Sequence, residues 1–191
     1  MFIVIVIVIV MFMFITHSSY FPAGDWYSIH DKSVVNGGAV RTVPAPLQFT
    51  PVYQRAGTVV ALQTRVRRSS SQMKHDPFTL HVVADSLGNA EGYIYHDDRD
   101  GFGYEKGAYA YMKVEMKNGV LRCKRDGEGR YEDHNLVERI VIRVRILPKS
   151  ITIVVGGQRR PAMFMIDEKA LEVTIRKPEV RLTEEWEMIM A

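Results

Sequence analysis

The carboxylates that could do acid–base chemistry are concentrated in one short stretch, which holds Asp97, Asp98, Asp100 and Glu105. A glycosidase needs two carboxylates that face each other across the substrate, about 5 to 9.5 Å apart. Carboxylates this close in sequence on a tight turn rarely face each other. A calcium loop is also a poor match, because aligning Gly101 with the loop glycine puts His96 and Gly107 at the first and last ligand positions. The pattern favours a turn capped by aspartate side chains over a bound cation.

Other residues with reactive or metal-binding side chains are scattered. The six histidines form no i, i+4 pair and have no metal-ligand spacing. A single cysteine, Cys123, excludes an internal disulfide framework and a multi-cysteine metal site. The serines Ser69 to Ser71 lie in no nucleophile-elbow context. The sequence therefore assigns no catalytic residue, no cofactor-binding residue and no metal ligand.

Four arginines, Arg55, Arg65, Arg67 and Arg68, suggest an anionic partner. Nucleic acid would require basic residues interleaved with exposed aromatics or a helix for the groove, and neither is present near them. The net charge of +3 is also a weak argument for nucleic acid. Since arginine forms bidentate pairs with carboxylates at domain interfaces, we predict an interface role and no nucleic-acid partner.

Aromatic residues could form a platform on which a sugar ring stacks: Trp26, Tyr27, Tyr93, Tyr95, Tyr104, Tyr109 and Tyr111. Cross-strand aromatic pairs in an ordinary sheet give the same spacing. The pattern favours such packing, and it leaves Trp26 and Tyr27 as candidate sugar contacts.

The elements that carry these residues are β-strands. From Phe78 onward apolar residues alternate with polar ones, and turn signals such as Asn118-Gly119 and Gly156-Gly157 separate the strands. The predicted inward sets are Phe78, Leu80, Val82, Ala84; Ala110, Met112, Val114, Met116; Ile140, Ile142, Val144, Ile146; and Leu171, Val173, Ile175. Several short strands with one apolar face indicate an antiparallel sandwich.

Composition shifts divide the chain into three parts. Residues 1–19 begin with fifteen uncharged apolar residues, a run too short for a typical membrane-spanning helix and without the basic start of a secretory signal. It is a signal or anchor, or an artefactual start. Residues 20–72 are predicted as a small proline-broken β-domain, and residues 73–191 as a larger one that begins around Asp76-Pro77.

A family resemblance lies in the run Pro-Val-Tyr-Gln-Arg-Ala-Gly-Thr-Val-Val from Pro51, followed by Arg-Val-Arg-Arg-Ser-Ser, Met73 and Asp76-Pro77-Phe78-Thr79-Leu80. This run resembles the C-terminal region of family 31 glycoside hydrolases, in particular the glucosidase II branch. Ser28 stands where many members have Asp, and Ala56 where they usually have Gly.

The resemblance implies an all-β chain of two consecutive antiparallel β-sandwiches, proximal and distal, without the (β/α)₈ barrel that carries the family's catalytic aspartates. A chain of 191 residues could not hold that barrel as well. It implies a non-catalytic, structural part of an α-glucosidase that trims glucose from N-glycans in the endoplasmic reticulum lumen. The implied partners are the barrel, which Arg55, Arg65, Arg67 and Arg68 would contact, and a β subunit. The alternative is a free-standing secreted carbohydrate-binding sandwich.

Overall fold

The structure, a computed structural model, describes residues 16–191. Within that range the chain is β-strands and connections, with two single-turn 3₁₀ helices at Ser70–Met73 and Gly103–Lys106. The absence of long helices and of a (β/α)₈ barrel from this part of the chain confirms the predicted all-β class. The same residues contain no helix long and apolar enough to cross a membrane. The signal, anchor or artefact interpretation of the apolar start concerns residues 1–15, which lie outside the described range.

Residues 16–56 form one compact unit. Its strands are β1 (Thr16–Phe21), β2 (Asp25–Ser28), β3 (Val34–Asn36), β4 (Ala39–Pro44) and β5 (Tyr53–Arg55). β1 pairs with β4 in an antiparallel ribbon, whereas β2 lies between β3 and β5 in a three-stranded antiparallel sheet. Gly37 allows two backbone segments to approach closely, because a Cβ there would lie 1.9 Å from the carbonyl oxygen of Pro22.

Residues 57–191 form a second unit with eleven strands in one continuous sheet. The strands are β6 (Thr58–Leu62), β7 (Phe78–Val83), β8 (Ala90–Asp97), β9 (Tyr109–Lys117), β10 (Val120–Arg125), β11 (Leu136–Arg143), β12 (Ile151–Val155), β13 (Gln158–Pro161), β14 (Phe164–Asp167), β15 (Glu172–Arg181) and β16 (Trp186–Met190). Their order in the sheet is β13-β12-β16-β10-β9-β8-β6-β7-β11-β15-β14.

This sheet folds over on itself. One hydrophobic cluster collects inward-facing residues from β10 and β16, near one end of the strand order, and from β11 and β15, near the other. Leu121, Met188, Ile140 and Ile175 are all fully buried in it. Two halves of a sheet that share one core make a sandwich, as predicted.

Two pairings are parallel rather than antiparallel. β7 pairs with β11 in parallel, and β6 touches β8 through a single parallel bridge between Thr58 and Glu91. Next to this bridge β8 passes very close to β6, since a Cβ at Gly92 would lie 2.2 Å from the carbonyl oxygen of Val59. The fold is therefore a sandwich with mixed rather than purely antiparallel pairing.

The predicted alternation holds within the strands and fails at their ends. Leu80, Val82, Met112 and Val114 are buried, as expected. Ile146, by contrast, is exposed because it lies beyond the end of β11. Leu171 is likewise largely exposed, because it precedes β15 in a left-handed turn conformation at φ +50°.

The structural division falls between Ala56 and Gly57, whereas the sequence pattern put the boundary at 72/73. β6 and β7 form an antiparallel pair, with Val59 opposite Val82. Asp76-Pro77 interrupts the chain but not the sheet, so the strand before this connection belongs to the same unit as the strand after it. The assignment of the two parts as proximal and distal sandwiches stays a prediction.

Candidate interface segment

An exposed segment, residues 64–72, connects β6 to β7. All nine of its residues are exposed, and Val66 keeps 97% of its surface accessible to solvent. The segment contains one 3₁₀ turn and no strand, and it carries three of the four arginines singled out above. We call residues 64–72 the connecting segment.

The two ends of the connecting segment are held together by Gln63. Its side-chain amide donates to the backbone carbonyls of Met73 and Asp76, both at 2.9 Å. Its carbonyl oxygen in turn accepts a hydrogen bond of 3.0 Å from the guanidinium of Arg99. One side chain thus closes the base of the loop and ties it to the turn that follows β8.

Arg67 forms a bidentate ion pair with Asp76. Its Nε lies 2.9 Å from Oδ2 and 3.2 Å from Oδ1, and its Nη2 also donates to Oδ1. The Asp76 carboxylate is buried, and its hydrogen bond with Arg67 holds its pKa below the usual range. Such fork-to-carboxylate geometry fixes orientation as well as distance, so the middle of the segment is pinned to the residues that follow it, just before β7.

Two further ties connect the segment and the residues that directly follow it to the sandwich. The Nη2 of Arg65 lies 2.8 Å from the Oε2 of Glu138 on β11. The carbonyl of Lys74 accepts a 2.8 Å hydrogen bond from the side-chain amide of Asn135. The connecting segment is therefore ordered by polar contacts, although its own side chains cover almost none of the core.

The predicted arginine set is divided by these contacts. Arg65 and Arg67 pair with carboxylates of their own unit, whereas Arg55 lies in the first unit and donates to the carbonyl of Ala23 at 3.1 Å. Arg68 is exposed. The expectation that all four contact a catalytic barrel stays a prediction, and the structure adds that two of them also shape the segment.

Trp26, one of the two candidate sugar contacts, is engaged in packing. Its indole Nε1 donates to the carbonyl of Pro22 at 2.8 Å, and its ring packs edge-to-face on Phe21 at 5.8 Å. Tyr27 pairs with Val34 and Gln54 of the neighbouring strands. Sugar contact by Trp26 or Tyr27 stays a prediction.

The acidic stretch forms a capped turn. The Asp97 carboxylate accepts a bond from the backbone N–H of Arg99 at 2.9 Å, and Asp98 accepts one from Gly101 at 3.1 Å. Asp100 lies 3.7 Å from the Nζ of Lys74. Within residues 16–191 no group of three potential ligands is arranged to hold a metal ion.

A buried histidine–aspartate pair was not found from the sequence. His96 on β8 donates through Nε2 to the Oδ2 of Asp133, and its ring packs against Phe78 and Tyr131. Burial alone would raise the pKa of Asp133, but the hydrogen bond and charge of His96 together with the backbone N–H groups of His134 and Asn135 outweigh it, and the pKa is lowered. The partners are 37 residues apart, so no local spacing could have indicated them. The pair fixes the long connection between β10 and β11.

Comparison with known proteins agrees with this architecture. Residues 10–60 match the profile described as the glycosyl hydrolase family 31 C-terminal domain, a match that begins inside the apolar start. The chain is 34% identical over 158 residues to neutral alpha-glucosidase AB of Dictyostelium discoideum, covering 81% of this chain and 16% of that protein. It is 32% identical over 181 residues to a probable glucan 1,3-alpha-glucosidase of Arabidopsis thaliana, covering 88% and 20% respectively.

Solved structures show the same likeness. A crystal structure of glucosidase II alpha subunit superposes with a TM-score of 0.80 at 25% identity, over 92% of this chain and 21% of that one. The chain therefore matches the C-terminal domain of glycoside hydrolase family 31 at residues 10–60, and it is similar over most of its length to members of that family. Within that family it is similar to glucosidase II α subunits and neutral α-glucosidases, and it spans about a fifth of their length.

Proposed function

We propose that this chain is the structural C-terminal region of a glucosidase II-like α-glucosidase, in which it supports a catalytic (β/α)₈ barrel. The parent reaction would be removal of glucose from N-glycans in the endoplasmic reticulum lumen. The chain itself would supply no catalytic group. The observation that carries this proposal is the connecting segment, which is ordered and exposed at the same time.

Order in an exposed loop has a free-energy cost. Fixing the backbone of one residue costs about 1 to 2 kcal/mol, and burial of side chains normally offsets it. In the connecting segment the offset comes from the ties made by Gln63, Arg65 and Arg67 instead. A loop held in one shape, with Val66 and Arg68 presented outward, is suited to contact with another domain.

The single cysteine is compatible with the proposed location in the endoplasmic reticulum lumen. Cys123 is fully buried in the core, and burial raises the pKa of its thiol to about 12. A thiol that stays protonated and covered reacts slowly with oxidants and disulfides. The fold would therefore remain unmodified in the oxidising lumen.

A β subunit is the second proposed partner. One similar solved structure is described as an endoplasmic reticulum glucosidase II heterodimer of the catalytic subunit with the binding domain of the regulatory subunit. We expect the barrel contact to involve the connecting segment, and we assign no residue of this chain to the regulatory subunit.

A hybrid enzyme tests the barrel contact. The region of Dictyostelium discoideum neutral alpha-glucosidase AB that matches this chain would be replaced by residues 16–191, and hydrolysis of an aryl α-glucoside would be measured. We expect Val66→Asp to reduce activity or soluble yield, because it would place a charge in the interface. Leu87→Asp, at an exposed aliphatic residue in the β7–β8 turn, is the matched control. Equal yields and activities for the two variants would contradict a contact through the connecting segment.

A further inference from the structure

The outward face of β8 and β9 carries two stacked pairs of tyrosines. The rings of Tyr93 and Tyr111 lie 5.5 Å apart at an angle of 14°, and those of Tyr95 and Tyr109 lie 5.6 Å apart at 20°. Tyr93 remains 47% exposed and Tyr95 51% exposed. We call these four residues the tyrosine face. It is distinct from the core, to which the alternate residues of both strands point.

The tyrosine face is held in place from several sides. The backbone at Gly129 lies so close to Tyr109 that a Cβ there would be 2.6 Å from its ring. The Nζ of Lys113 lies 5.8 Å from the centroid of the Tyr93 ring and 2.8 Å from the Oε2 of Glu91. Rings fixed in this way lose little conformational freedom when a ligand binds, which favours binding.

Hydrogen-bonding groups border the rings. Partial burial and a hydrogen bond to Asp97 raise the pKa of Tyr95, and partial burial and a hydrogen bond to Glu91 raise the pKa of Tyr93. Tyr104 is close enough to Tyr95 to contribute to its raised pKa, and Tyr104 is itself exposed. An exposed aromatic surface is thus combined with phenol and carboxylate oxygens at the same edge.

The charges on this face favour a neutral ligand. Glu91 is paired with Lys113, whose ammonium also lies over the ring of Tyr93. Asp97 already accepts a bond from the backbone N–H of Arg99. On the neighbouring strand β10, Lys124 lies opposite Lys113 and Arg122 opposite Glu115. Because cations and carboxylates are mixed and neither sign dominates, the face offers little attraction to a basic or an acidic peptide. A sugar presents apolar C–H faces to aromatic rings and hydroxyl groups to oxygen acceptors, which matches both features.

We propose that the tyrosine face binds a neutral oligosaccharide, with sugar rings against Tyr95 and Tyr93 and hydroxyl groups bonded to Asp97 and Glu91. Tyr93 and Tyr95 are two residues apart on one strand, a spacing of about 6.7 Å. That spacing is comparable with one sugar residue, so the site would take at least two linked hexoses. It differs from the Trp26 and Tyr27 contacts considered above and needs no catalytic barrel.

Titration of the full chain with maltotetraose and with a linear mannotetraose tests the site. We expect saturable binding of at least one probe, with a dissociation constant at or below about 1 mM. Tyr95→Ala is expected to weaken binding at least about tenfold, because it removes the most exposed ring of the face. Tyr95→Phe keeps the ring and should weaken binding less than Tyr95→Ala does. Tyr20→Ala, at an exposed tyrosine of β1, should leave the affinity unchanged.

Circular dichroism and the melting temperature of each variant separate loss of binding from loss of fold. If Tyr95→Ala is unfolded, Tyr93→Ala and Asp97→Asn serve as the deciding variants, with the same expected loss. The proposal is overturned if neither probe reaches saturation. It is also overturned if binding persists unchanged in the folded variants of the tyrosine face.

Discussion

The close crossing of β6 and β8 gives the sharpest prediction about the fold. In Gly92→Ala the new methyl group would lie 2.2 Å from the carbonyl oxygen of Val59 and 2.9 Å from its carbonyl carbon. This is more than 1 Å inside ordinary contact, and the opposing atoms are backbone rather than a flexible side chain. The two strands must therefore move apart at this close approach.

Such overpacking costs about 1 to 3 kcal/mol, and backbone atoms put Gly92→Ala at the upper end, near about 3 kcal/mol. For a domain of this size the melting temperature should fall by about 6 to 12 °C. Differential scanning calorimetry of the purified chain measures the fall. Gly103→Ala is the control, because its methyl group would meet only side-chain atoms, the Cβ of Ala108 at 3.2 Å and the Oδ2 of Asp98 at 3.6 Å. If Gly92→Ala melts no lower than Gly103→Ala, the close crossing described here is incorrect.

Two further predictions concern titratable groups. Because the folded-state pKa of Asp76 is lowered, its stabilising effect is present above its unfolded pKa of about 4 and is lost as the pH falls through the folded value. Asp76→Asn should therefore melt below the parent chain at pH 7, and the gap should narrow in melts below about pH 4; a gap that is constant with pH would contradict this. Cys123, whose thiol pKa is raised to about 12, should resist iodoacetamide at pH 8 until the chain unfolds, as followed by intact mass. Rapid labelling of the folded chain would show that the cysteine is not covered.

The strands could be predicted well from the sequence because most of them bury only one of their two faces. Where one face of a strand is buried, alternation must follow the pleat, and Ala110 to Met116 follow it without a break. Arg143 departs from this rule: as a polar residue between the inward-facing Ile142 and Val144 it should lie in solvent, but it is buried, with its Nε 3.1 Å from the Oε2 of Glu172 on β15. Whether an outward position is buried depends on what covers that face of the sheet. The alternation of residues within one strand carries no information about that cover.

Long-range pairing was the part that the sequence could not predict. The parallel contact of β7 with β11 joins strands far apart in the chain, and turn residues such as Asp76-Pro77 report only local chain direction. For the same reason the sequence pattern put a boundary between β6 and β7, whereas in the structure these two strands pair and lie in one unit. The tyrosine face was predicted only as packing, because the spacing of Tyr93 and Tyr95 can be read from the sequence whereas their exposure cannot.

Reconstitution from two separate chains tests the central claim most directly. The part of Dictyostelium discoideum neutral alpha-glucosidase AB that precedes the region matching this chain would be produced alone and together with residues 16–191. We predict that the barrel-containing part alone is poorly soluble, and that this chain alone does not hydrolyse an aryl α-glucoside. Together they should elute as one complex with α-glucosidase activity. A barrel-containing part that is equally soluble and active without this chain, or hydrolysis by this chain alone, would contradict the structural role proposed here.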